Sequence, residues 1–129
     1  MSPGHYIATV KEVENKVFKN CVEIHLKYLV TSGPYQLTGL SSEPLPETKN
    51  LATELPGRFT IKTVNHIPVL SPFSPYYRAW SQASGHEPRD NESPNPQELV
   101  NHSFLVEVGP RSDTKPELIV RTILWKTGF

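Results

Sequence analysis

Between Cys21 and Val30 the chain alternates without a break. Val22, Ile24, Leu26, Tyr28 and Val30 share one face; Cys21, Glu23, His25, Lys27 and Leu29 share the other. A period of two over this length predicts a strand with one face in a core. An earlier strand is predicted at His5–Val13, where Tyr6, Ala8 and Val10 alternate with Ile7, Thr9 and Lys11. The polar segment Glu14–Asn20 reads as the turn that joins them, and Thr31-Ser32-Gly33-Pro34 as a second turn. Tyr35–Leu40 then reads as a short strand pairing back on the second. Arg58–Val64 reads as another, with Phe59 and Ile61 opposite Arg58, Thr60 and Lys62. Ser41–Gly57 lies between these two, with three prolines and little alternation, and reads as an excursion with a helical turn at Thr48–Glu54.

The period changes at Ser74. A serine suited to cap a helix is followed by Pro75 at the first helical position, and Gly85 is suited to end it. Tyr76, Trp80 and Ala83 fall on one helical face. A second polar, proline-rich stretch follows, in which Asn95 can cap a single turn at Pro96–Val100. Alternation returns at Ser103–Val108. After a turn at Gly109–Pro116, the last strand, Glu117–Lys126, is apolar on both faces, as expected of a strand covered twice or lying at an interface. Three strands, a helix and two strands is the connectivity of an OB-fold. The fold expected is therefore a mostly β, five-stranded OB-like barrel with one α-helix between strands three and four, and two long Pro-rich loops at 41–57 and 85–98. A length of 129 residues suits one such domain, residues 1–129.

Composition narrows the class. No apolar run approaches the ~20 residues of a membrane-spanning helix, and the first residues lack the basic and apolar regions of a signal peptide. The single cysteine, Cys21, excludes an internal disulfide framework and a cysteine-rich zinc site. A cytoplasmic location is expected. Net charge is zero, but the charge is unevenly spread. The two Pro-rich stretches hold seven of the 13 acidic residues (Glu43, Glu47, Glu54, Glu87, Asp90, Glu92 and Glu98) and only two basic ones, Lys49 and Arg89. The rest of the chain carries a net charge of +5, compatible with a phosphate-facing surface.

The residues favour binding over catalysis. There is no Gly-x-Ser-x-Gly, phosphate loop, paired His-Glu helix motif or dinucleotide fingerprint. Cys21 and His25 share a strand face but stand about 13 Å apart in an extended chain, too far for a nucleophile and its base. Neither a catalytic site, a metal site nor a cofactor is expected. Binding of a single strand needs cations for phosphates and exposed rings for bases. In an OB barrel the groove crosses strands two and three between two flanking loops. His25 and Lys27 face outward on the second strand, and Arg58 and Lys62 on the strand at 58–64. The first flanking loop supplies Lys16, Phe18 and Lys19, and the second Arg111 and Lys115. Phe18 and Tyr35 are the candidate stacking rings. Glu23 in the middle of this face opposes phosphate.

Gly4–Glu14, Glu23–Val30, Thr31–Tyr35, Tyr76–Gly85 and Asn101–Val108 together resemble small single-stranded-DNA-binding-like OB-fold proteins of phages, plasmids and mobile elements. The resemblance lies in strand and turn style and spans most of the chain. It implies a role in DNA replication, recombination or mobile-element maintenance, with single-stranded DNA as ligand, a protein partner from those processes and a possible homo-oligomer. The chain departs from the pattern by its neutral balance and by lacking an acidic tail. The alternative expectation is a protein–protein adaptor or assembly subunit that uses the last strand and the Pro-rich loops and binds no nucleic acid itself.

Overall fold

The computed structural model describes residues 1–89 and 92–127. Asp90 of the second acidic stretch and Gly128–Phe129 at the end of the chain lie outside the described residues.

The chain is mostly β. It runs β1 (Gly4–Val17), β2 (Cys21–Thr38), β3 (Ser41–Val64), β4 (Ile67–Pro68), α1 (Pro75–Ser84), a 3-10 turn (Pro96–Leu99), β5 (Ser103–Ser112) and β6 (Lys115–Lys126). One sheet is ordered β2-β1-β5-β6-β3-β4, and β2 also pairs with β3. Five strands therefore form a closed ring. The neighbours are antiparallel except β3 and β6, which run parallel and meet in a bridge at Gly57 and Val120.

Alternation puts the core inside the ring. Ile24, Leu26, Tyr28 and Val30 of β2 are buried, as are Tyr6, Ala8 and Val10 of β1, Phe59 and Ile61 of β3, and Phe104, Val106 and Val108 of β5. The helix forms as its caps predict. The Ser74 side chain accepts the Tyr77 N–H, and Gly85 adopts the left-handed conformation with φ of 84°. Its apolar face carries Tyr76, Ala79 and Trp80 into the same core, and the Phe59 and Tyr76 rings lie 5.5 Å apart. The indole N–H of Trp80 donates to the Asn95 carbonyl and the Tyr76 hydroxyl to the Pro94 carbonyl, so the segment after the helix is tied to it. Asn95 caps the short turn that follows.

The strands are longer than the sequence pattern suggests. Residues 41–57 form neither a loop nor a helical turn at 48–54; they are the first part of β3 and pair with β2 from Thr38↔Ser41 onward. Two of the three prolines there, Pro44 and Pro46, are compatible with a strand for a simple reason. From Ser41 to Leu55, among the described residues, β3 has β2 on one side and no strand on the other, and an edge strand tolerates proline on its open side. The expected turn at 31–34 is likewise strand. Gly33 and the cis Gly33–Pro34 peptide are accommodated by register shifts within β2, and Tyr35 belongs to β2. The reversal comes at Gly39-Leu40, leaving Leu40 at the tip of a long β2–β3 arm. Glu14–Val17 continues β1, so only residues 18–20 turn. The β5–β6 turn shrinks to Asp113-Thr114. Of the second Pro-rich stretch, residues 85–89 and 92–95 carry no helix or strand.

Candidate nucleic-acid interface

The outer face of the ring is set by the register that fills its core. Opposite buried Ile24, Leu26 and Phe59 stand His25 and Lys27 on β2 and Arg58 on β3, with His25 directly across from Arg58 and Lys27 across from Pro56. The β5–β6 hairpin brings Arg111 to the same place. His25, Pro56, Gly57, Arg58, Arg111 and Ile119 line a small cleft of about 130 Å³ beside the bridge that closes the ring. Three of the ten expected site residues, His25, Arg58 and Arg111, thus come from three separate strands to one spot. Lys27 and Lys62 are exposed on the same face, one on either side along the strands.

Carboxylates accompany these cations. Glu23 stands 2.9 Å from His25 Nε2 and 3.7 Å from an Arg58 terminal nitrogen, Glu12 is 3.4 Å from Lys27 Nζ, and Glu117 is 3.0 Å from Arg111 Nε. Cross-strand register adds Glu14 beside His25 and sets Lys16 beside Glu23. The face therefore has a gradient. Its β1 side carries Glu12 and Glu14 with Lys16, its β3 side carries Arg58 and Lys62, and beyond them Arg111 of β5 is paired with Glu117 of β6. The cations of this face are not free of carboxylates, because Glu12, Glu23 and Glu117, already counted in the net +5, lie next to Lys27, to His25 and Arg58, and to Arg111.

The remaining candidates are spread out. Phe18 and Lys19 sit in the β1–β2 turn, with the Phe18 ring half exposed. Lys115 opens β6, paired with Ser112 just after the β5–β6 turn. Tyr35 lies far along β2, 14 residues beyond Cys21, where its hydroxyl pairs with Ser32 Oγ at 2.8 Å. The two rings expected to stack bases are thus at opposite ends of β2 rather than in one groove. Sequence reasoning passed over Arg121. It is the extra residue of a bulge in β6, since Thr122 pairs with Glu107 while Val120 pairs with the adjacent Val108. Alternation gives no signal for such a residue.

Among the described residues no group of three or more histidine, cysteine or carboxylate side chains is placed to hold a metal, and no helix is long and apolar enough to cross a membrane. No family model, curated protein or solved structure matches the chain.

Proposed function

We propose that this chain binds single-stranded nucleic acid, DNA in particular, without catalysis, on an OB-fold. The ring order β1-β2-β3-β6-β5 and the helix between its third and fourth strands support the OB reading. The observation that carries the binding reading is the convergence of His25, Arg58 and Arg111, from three strands, on one outer cleft. Lys27 and Lys62 extend that cationic line along β2 and β3. The strand's phosphates follow the β3–β6 side, where guanidinium groups can give charge-assisted hydrogen bonds, and keep clear of the acidic β1 side. Lys16, Lys19 and Lys115 attract from the rim, and Phe18 offers a ring for an end base. Base sequence specificity is not predicted for this site. The resemblance noted above supports a role in replication, recombination or mobile-element maintenance.

Reversing Lys27 and Arg111 together (Lys27→Glu, Arg111→Glu) tests the site. Both are exposed, so the fold should survive. Each lost phosphate contact lowers the salt slope of single-strand binding by about 0.7, so the pair should remove about 1.4. An unchanged slope puts the strand elsewhere.

A second reading, a protein adaptor, draws on a different observation. Val17 and Ile67 are exposed and line a largely apolar cleft of about 350 Å³ with Val22, Leu70 and Pro94. Val64, Val69 and Phe73 are exposed close by in sequence. A molar mass that rises with concentration, with no oligonucleotide bound, favours this reading.

A further inference from the structure

Beyond the His5↔Tyr35 pair, among the described residues, no third strand flanks the β2–β3 hairpin, which continues as a two-stranded arm to the turn at Gly39-Leu40. Gly39 has φ of 65°, as the first position of a tight hairpin turn requires, and the Thr38 and Ser41 hydroxyls stand 3.0 Å apart behind it. Turn chemistry asks for nothing apolar at the second position, yet Leu40 stands there, 92% exposed. At the other end of β2 the apolar cleft of about 350 Å³ is also uncovered, with Val17 and Ile67 exposed at its edge. Charge divides the same way. Glu43 and Glu47 are exposed on the arm, with Lys49 nearer its base, and Lys16 and Lys19 are exposed on either side of Val17 and Phe18. None of these five charged residues has an ion-pair partner among the described residues. Glu92, a carboxylate in the cleft wall, is already engaged by His86 and by the Arg89 backbone N–H.

We propose that the arm of one copy of this chain docks head-to-tail in the apolar cleft of a second copy, with Leu40 as its anchor. Leu40 enters among Val17, Val22, Ile67 and Leu70, and Glu43 and Glu47 come beside Lys16 and Lys19. An aliphatic anchor in a pocket, with opposite charges around it, is the usual make-up of an interface centre and its rim. A two-stranded hairpin alone is marginally stable in water, and docking gives this one a surface to pack on. Arm and cleft lie at opposite ends of β2, so one copy can give its arm and receive another's at once. Contact between two different patches of the same chain builds rings or open rows rather than a self-limited pair. The inference rests on the cleft being a protein contact, the second reading above, and names its occupant; it does not depend on strand binding.

The test is light scattering of the intact chain at rising concentration, without oligonucleotide, beside Leu40→Asp, Ile67→Asp and an equimolar mixture of the two variants. Leu40 and Ile67 are both exposed, so both variants should fold, which circular dichroism checks. The unmodified chain is expected to rise in mass past the dimer. Each variant alone should associate about tenfold more weakly or worse, because an aspartate carried into the apolar contact finds no partner there. The mixture should recover 1:1 dimers and nothing larger, since it joins one intact arm to one intact cleft. A chain that stays monomeric at every concentration, or a mixture that recovers no dimer, would overturn the proposal. So would Leu40→Asp associating as tightly as the unmodified chain. If Ile67→Asp alone then weakens association, the cleft remains a protein contact and only the arm is lost as its occupant.

Discussion

Gly57 of β3 and Val120 of β6 form the bridge that closes the five-stranded ring, and among the described residues β3 and β6 pair nowhere else. The contact leaves no room for a side chain. A Cβ on Gly57 falls 2.6 Å from the Tyr28 ring and 3.2 Å from the Val120 carbonyl oxygen.

Gly57→Ala should therefore destabilise the fold by about 1–3 kcal/mol, the usual cost of overpacking a filled site. The Tyr28 ring is buried and has little freedom to move aside. Urea unfolding measures this, and a change within about 0.5 kcal/mol would mean that the ring does not close as described. The same variant should also disturb the cleft at His25, Arg58 and Arg111, because Gly57 is part of its wall.

Glu23 competes with phosphate for His25 and Arg58. Glu23→Gln should tighten single-strand binding roughly fivefold, the equivalent of about 1 kcal/mol of Coulomb repulsion at contact distance in water. Stability should change by no more than about 1 kcal/mol, since ion pairs near the surface contribute little. Oligonucleotide anisotropy and urea unfolding on the same preparation separate the two effects. Weaker binding would show that Glu23 orients the cations rather than screening them.

Trp80 is buried on the helix face and tied to Asn95. Trp80→Ala should cost about 3–5 kcal/mol, as large aromatic deletions from cores do, and should also free residues 92–95, which lose the indole anchor. Calorimetry and amide exchange of Gln97 and Glu98 test both parts. A small loss would mean that the helix is peripheral to the core.

Glu92 gives a pH signature. Its carboxylate accepts the Arg89 backbone N–H at 2.9 Å. That bond is the largest influence and, with His86 beside it, holds its pKa below the usual carboxylate range despite opposing desolvation. A depressed pKa in the folded state means the contact is intact above the unfolded value of about 4.3 and is lost as pH falls through the lower folded value. The Arg89 amide shift should therefore titrate with a midpoint below about 4.3, and Glu92→Gln should abolish that titration. A midpoint above that value would contradict the hydrogen bond.

Much of the ring was legible in the sequence because its core obeys simple alternation. Ile24, Leu26 and Tyr28, like Phe59 and Ile61, are buried where the period of two puts them. The helix was legible from Ser74, Pro75 and Gly85, each of which acts locally. What escaped the pattern was the length of the strands. Pro44, Pro46 and Pro56 suggested a loop, yet all three lie in β3, the first two where it is an edge strand that tolerates proline. Gly33-Pro34 suggested a turn, yet β2 absorbs it by shifting register. At the candidate site, facing direction was legible for Lys27, Arg58 and Lys62. The pairing of cations with Glu12, Glu23 and Glu117 was not, because it depends on which strands become neighbours. The separation of Phe18 from Tyr35 followed from the same mistake about strand length. Arg121 was hidden by a bulge, a feature without a residue signature.

The most direct measurement is fluorescence anisotropy of a labelled single-stranded oligonucleotide and of the matching duplex, at low and at moderate salt. Single-strand binding that exceeds duplex binding and weakens steeply with salt is the result predicted, because the outer face meets the strand mainly through its phosphates. No single-strand binding at low salt, where phosphate attraction is strongest, would contradict the account and leave the apolar cleft at Val17 and Ile67 as the surface to pursue.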